Sequence, residues 1–189
     1  MASENDSNTD EDQTTLQNFE SWLALYRSRV YETYLSRAPT VSQPEDPQAN
    51  RQVKSPKPTI LVIEDNADEW FLIRWALLQH FPITQVIWIS DSTRVMPYLN
   101  KCVQREIDLP RLILVDLYLP SAQSGLSILQ KIKQHPVYGA IPTVIISRSN
   151  NPDDIESALT HSSNSYIIKP FTYDEWRERF SMLRTYWTE

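Results

Sequence analysis

Cysteine is nearly absent from this chain: Cys102 is the only one among 189 residues. An internal disulfide is therefore excluded, and a reducing cytoplasm is the expected compartment. No stretch approaches the roughly 18 consecutive apolar residues of a membrane span. The N-terminus, MASENDSNTDEDQ, is polar and acidic where a secretory leader would be basic and then apolar. Positive charge is also in short supply, with 18 Lys and Arg against 24 Asp and Glu and a net charge of −6. That balance disfavours a general affinity for nucleic acid while leaving room for a local basic patch, and the stretch at 16–37 is too acidic and aromatic for a basic reading element. His80, His135 and His161 lie in separate segments without the spacing of a metal site or a phosphorelay histidine.

What is present divides the chain into four parts. Residues 1–15 carry Glu4, Asp6, Asp10, Glu11 and Asp12 with no base and almost no large apolar side chain, a composition that predicts disorder. Across residues 16–37, Leu16, Phe19, Leu23, Tyr26 and Val30 recur at three- and four-residue steps, which predicts an amphipathic helix with a wide apolar face. Such a face has to dock on its own domain, on a second copy or on a partner. Residues 38–57 place Pro39, Pro44, Pro47 and Pro56 among polar residues and read as a semi-extended linker. Residues 58–189 then alternate short apolar runs with helical patterns.

The runs at 59–63, 85–90, 112–115, 143–146 and 166–168 are read as strands, with helices between and after them. Five such βα units imply an α/β fold, a doubly wound five-stranded parallel sheet in the flavodoxin-like order 2-1-3-4-5. Leu112 to Val115 is apolar without alternation, as expected of a strand covered on both faces. The last helix, from about Tyr173, aligns Tyr173, Trp176, Phe180, Leu183 and Trp187 as a core-facing stripe, while Trp70, Phe71 and Trp75 make the first helix apolar nearly all round. One of these surplus faces is a candidate seat for the N-terminal helix or a second subunit.

In such a sheet, ligands bind where the strands end. Asp116 closes RLILVDLYLP, residues 111–120, and Glu64 and Asp65 close the first strand in TILVIEDNADEW, residues 59–70. Taken singly, each is as well explained as a loop residue or a helix cap. Taken together, three carboxylates at one sheet edge call for a hard cation such as magnesium. The fourth strand ends in the hydroxyl of Ser147 and the fifth in Lys169. A hydroxyl and an ammonium beside a metal-bound carboxylate are what a phosphorylated aspartate needs, because its oxygens require donors and positive charge.

These motifs, in this order, resemble the receiver domain of two-component response regulators. More narrowly, VIEDNADEWFLIRWAL, ILVDLYLP and SYIIKPF resemble the CheY-like single-domain regulators associated with cyanobacterial phytochromes, over about residues 58–189. The resemblance implies that Asp116 is the phosphoacceptor, fed by a sensor histidine kinase. It implies that Glu64, Asp65, Asp116 and the backbone carbonyl of Tyr118 hold Mg2+, that Ser147 and Tyr166 are the switch pair, and that Lys169 binds phosphate. It further implies a cis peptide at Lys169–Pro170. With no output domain expected after Glu189, output falls to protein contacts, either with a downstream target or in a homodimer. The activity expected is signalling, with no enzymatic turnover beyond the domain's own phosphorylation and dephosphorylation.

Three residues depart from the family pattern. Gly125 stands one residue later than usual, which predicts a longer loop over 121–124. Arg148 follows the switch hydroxyl where a small residue is common, and is read as a shield or an additional phosphate donor. Tyr118 lies two residues after Asp116, with its ring expected to slow attack by water. The competing readings are a pseudo-receiver that acts as a constitutive scaffold and a phosphatase of the haloacid dehalogenase type. The latter would want an acid where Tyr118 stands.

Overall fold

Five stretches rich in Ile, Leu and Val become five parallel strands because both sides of each central strand can be covered by helices. The computed structural model describes residues 57–187, so the expectations for the acidic tail, the amphipathic helix and nearly all of the Pro-rich linker fall outside the described residues. In chain order the elements are β1 (Thr59–Ile63), α1 (Ala67–His80), β2 (Gln85–Ile89), α2 (Val95–Gln104), β3 (Leu112–Asp116), α3 (Ala122–Lys133), β4 (Thr143–Ser147), α4 (Pro152–Thr160), β5 (Ser165–Ile168) and α5 (Tyr173–Ser181). The sheet order is β2-β1-β3-β4-β5, as expected. All five described helices follow a strand, so every strand end on one edge of the sheet opens into a helix start.

Central and edge strands differ as their positions demand. Every residue of β1, β3 and β4 is buried, whereas β2 and β5, each with one neighbour, are partly exposed. Residues alternate between the two faces of a strand. One face contributes Leu61, Ile63, Ile113, Val115 and Ile145 to a core closed by Val95 and Leu99 of α2, Ile128, Leu129 and Ile132 of α3, and Ala158 of α4. The other face is covered by α1 and α5, whose Leu72, Ile73, Ala76, Leu77, Trp176 and Phe180 are buried.

Much of the expected aromatic surplus is spent inside this unit. Trp70 stacks on Trp88 with centroids 5.3 Å apart, Trp75 meets Tyr173 edge-on at 5.5 Å, and Phe81 meets Trp187 at 4.9 Å. The stripe on the last helix is core, with Trp176, Phe180 and Leu183 all buried. Cys102 is a buried free thiol. No described helix is long and apolar enough to cross a membrane.

Two sequence expectations are corrected here. Residues 121–124 do not form a longer loop: α3 begins at Ala122, and Ser121 caps it by accepting a hydrogen bond from the Ser124 backbone N–H. Gly125 therefore lies within the helix, where it is needed for close approach. A Cβ there would meet the carbonyl oxygens of Leu117 at 2.2 Å and Asp116 at 2.7 Å. The expected cis bond at Lys169–Pro170 is absent, and among the described residues the cis peptide is Leu119–Pro120. Both are X–Pro bonds with a small trans preference, so the sequence alone does not separate them.

Candidate functional site

Four strand ends bring the site together. β1 pairs with β3 and β3 with β4, in the register Ile63↔Val115 and Asp116↔Ile146. Glu64 and Asp116 thus leave adjacent strands side by side, and Ser147 lies one residue beyond the partner of Asp116. β5 adds Lys169 from the far side of β4, where its backbone N–H donates to Ser147 O at 2.7 Å. Glu64, Asp116, Ser147 and Lys169 are all buried.

Lys169 is the electrostatic centre. Its Nζ lies 2.8 Å from Glu64 Oε2 and 3.0 Å from Asp116 Oδ1, and it also donates to Glu69 Oε2. Burial disfavours the ammonium, but the three carboxylates outweigh that cost and raise its pKa. The acids share one cation unequally. Burial pushes Glu64 up from 4.5 to about 7, with Lys169 opposing and Asp116 adding to the rise. Burial also raises Asp116 against the pull of Lys169. Glu69 goes down: burial raises it, but Lys169 and then Arg148 prevail. The other oxygen of Glu69 accepts from Arg148 Nε at 2.6 Å.

Oxygens of Glu64, Glu69 and Asp116 come within 4.8 Å of one another. An all-oxygen, like-charged donor set of this kind fits a hard divalent cation. Asp65 is exposed and stands outside that trio, though it lines the same cleft. The cleft holds about 480 Å³ and is walled by the acids and Lys169 together with Asn66, Tyr118, Arg148 and Ser149.

Local structure holds these groups in place. Asn66 caps α1 by accepting from the Asp68 and Glu69 N–H groups, and its own N–H donates to Glu64 Oε1 at 3.1 Å. The backbone carbonyl of Glu64 accepts from Trp88 Nε1 at 2.7 Å. On the opposite wall, Tyr118 Oη donates to Asp154 Oδ2 at 2.9 Å, and Ser149 Oγ donates to the same oxygen at 2.5 Å. Tyr166 Oη donates to Ser149 O at 3.0 Å, and Ser149 N donates to Ser147 Oγ at 3.1 Å. Ser147, Tyr166 and Tyr118 are thereby joined through one loop.

The structure brings together Glu64, Asp116, Ser147 and Lys169 as the sequence suggested, and it seats Arg148 at the cleft. Sequence reasoning missed Glu69, Ser149 and Asp154. The available signal for Glu69 was an acid in the first turn of α1, which reads equally well as a favourable charge at a helix N-terminus. The histidines find ordinary partners: His80 pairs with Arg177 O at 2.6 Å, His161 with Ser157 O at 2.7 Å, and His135 accepts from the Val137 N–H at 3.2 Å.

Comparison with known proteins agrees with this geometry. Residues 60–181 match the family model of the response regulator receiver domain. The probable methanogenesis regulatory protein FilR2 of Methanothrix harundinacea is 31% identical over 128 residues, covering 68% of this chain and 82% of FilR2. Response regulator Rcp1 of Synechocystis sp. is 28% identical over 136 residues, covering 71% and 92%. Among solved structures, the phosphorylated cyanobacterial phytochrome response regulator RcpA superposes with a TM-score of 0.61 at 30% identity, over 70% of this chain and 94% of RcpA. The Mn(2+)-bound form of Rcp1 gives 0.59 at 28% identity, over 70% and 94%. Receiver domains are signalling modules of two-component systems that bind a divalent metal and meet sensor histidine kinases. With its five-stranded 2-1-3-4-5 sheet and its acid, hydroxyl and lysine at the strand ends, the chain belongs to the response regulator receiver domain family.

Proposed function

We propose that this chain is a phosphorylation-driven response regulator in which Asp116 accepts a phosphoryl group from the phosphohistidine of a sensor histidine kinase. The observation that carries this reading is the Asp116 carboxylate on the floor of an open cleft, 3.0 Å from the buried Lys169 ammonium. In the transfer, the P–N bond of the phosphohistidine breaks and its electron pair stays on the imidazole nitrogen, while a carboxylate oxygen of Asp116 forms the new P–O bond. Lys169 supplies positive charge to the transferring oxygens, and Ser147 a hydroxyl donor. Magnesium, held by Glu64, Asp65, Asp116 and the Tyr118 carbonyl, would supply further positive charge against the phosphoryl oxygens.

The readout follows from the loop that joins Ser147, Ser149, Tyr118 and Tyr166. Movement of Ser147 toward the phosphate pulls on Ser149, which releases the Tyr166 hydroxyl and lets its ring turn inward. The face built by α4, β5 and α5 then prefers a different partner, either a downstream protein target or a second copy of the chain. Such a switch needs two packings within a few kcal/mol of each other, with the phosphate biasing one. The proposed setting is cytoplasmic, in keeping with the single buried cysteine.

The test uses beryllofluoride, an acyl-phosphate mimic, with magnesium on the full chain, read by calorimetry and by light scattering. Magnesium-dependent binding that is lost in Asp116→Asn is the expected result. Absence of binding would favour a constitutive scaffold, with Arg148 and Glu69 closing the mouth.

A further inference from the structure

The geometry points to Glu69 as an internal stand-in for the phosphoryl group, its carboxylate occupying the two cations, Lys169 and Arg148, that are handed to the phosphate when Asp116 is modified. This rests on the reading of Asp116 as phosphoacceptor.

One Glu69 oxygen accepts from Lys169 and the other from Arg148, so a single carboxylate bridges both cations. Its side chain is nearly buried, whereas that of Arg148 is 66% exposed on its long stem. Lys169 already serves Glu64 and Asp116. Phosphorylation turns the Asp116 carboxylate into an acyl phosphate with two negative charges, one more than before, in the same few ångströms. Two buried carboxylates and a dianion are more than one ammonium can match. Glu64 and Asp116 leave the ends of two central strands, whose backbones are fixed by pairing on both sides. Glu69 instead sits on the first turn of α1, where its side chain reaches the solvent side of the cleft at 10% exposure against 0% for Glu64. It is therefore the group that can leave. Its departure releases Lys169 and Arg148 together, and the planar guanidinium suits a phosphate as well as it suits a carboxylate.

Glu69 in this account sets a threshold. In the unmodified site both cations are already paired, and the phosphoryl group must displace a resident anion in order to bind. A merely structural Glu69 would affect folding and all ligands alike. A stand-in affects the phosphate mimic and the metal in opposite senses, because removing a negative charge favours the anion and disfavours the cation.

The experiment is calorimetric titration of the full chain with magnesium alone, and then with beryllofluoride at saturating magnesium, in the wild type, Glu69→Gln, Glu69→Asp, Arg148→Ala and the Glu69→Gln/Arg148→Ala double variant. Glu69→Gln is expected to bind the mimic about tenfold more tightly and magnesium no more tightly. Glu69→Asp, too short to span both cations, falls between the two and keeps the test open should the Gln variant fold poorly. Arg148→Ala costs more mimic affinity in the Glu69→Gln background than in the wild type, because there Arg148 is already free for the phosphate. Unchanged or weaker mimic binding in both Glu69 variants, beside a wild type that binds, overturns the stand-in and leaves the Asp116 reading intact. No mimic binding by any variant overturns the Asp116 reading, and the stand-in with it.

Discussion

The two walls of the cleft are built from different chemistry. On the inner wall Lys169 holds Glu64, Glu69 and Asp116 in a buried cluster where every charge depends on another. On the outer wall Tyr118 and Ser149 join Asp154 and Tyr166 in a chain of exposed or part-buried hydrogen bonds that water can replace. Charge taken out of water is costly to leave unmatched, whereas a wet hydroxyl is cheap to move. The inner wall is thus suited to fixed chemistry and the outer wall to motion. A receiver domain needs both.

The contrast is broken most severely at Lys169. Lys169→Met leaves three carboxylates without their shared cation, and urea denaturation in the presence of a chelator should show a loss of about 3 kcal/mol. Saturating magnesium should restore part of it, because the ion binds only the assembled site. No recovery with magnesium would mean that the acids do not hold the metal.

The inner wall should also show itself in pH. Glu64 has a folded pKa of about 7 against an ordinary 4.5. Between those values the folded chain keeps a proton that the unfolded chain has released, so this group's contribution to stability falls as pH rises from 4.5 to 7. The expected decline in chelator-treated protein is up to about 3 kcal/mol. Glu69, whose pKa is lowered, acts in the opposite sense, and its contribution is lost only as pH falls below the ordinary carboxylate range. Glu64→Gln should flatten the decline between pH 4.5 and 7. A slope that survives this substitution would place the proton elsewhere.

Gly125→Ala sharpens the comparison from the backbone side. Its methyl would press on the carbonyls of Asp116 and Leu117, so a loss of about 2 kcal/mol is expected on thermal or urea unfolding. Weakened binding of the phosphate mimic should accompany it. The outer wall yields least. Tyr118→Phe removes one exposed hydrogen bond to Asp154 and should cost under about 1 kcal/mol. Tyr118→Ala removes the ring and should speed loss of the phosphoryl group several-fold, as followed by phosphoprotein decay. An unchanged rate would show that the ring does not screen the site.

The inner wall was far more legible in the sequence than the outer one, for a physical reason. Glu64, Asp116, Ser147 and Lys169 each end a run of strand-forming residues, and strand ends in a parallel sheet converge by topology alone. Their meeting follows once the runs are counted. Glu69 comes from a helix, and its role depends on Lys169, 100 residues away in sequence. The Tyr118–Asp154 bond joins a loop to a helix start through two side-chain torsions that no periodicity encodes. Gly125 was visible as a displaced glycine, but its place inside α3 depended on Ser121 capping the helix so early. Asp65 reads in the sequence as a partner of Glu64, yet it stands exposed beside the carboxylate trio.

The most direct measurement is the intact mass of the full chain after incubation with magnesium and acetyl phosphate, a small acyl-phosphate donor. A gain of one phosphoryl group in the wild type that vanishes in Asp116→Asn is the predicted result. A chain that gains none, or a gain that survives in Asp116→Asn, would contradict the assignment of Asp116 as the phosphoacceptor.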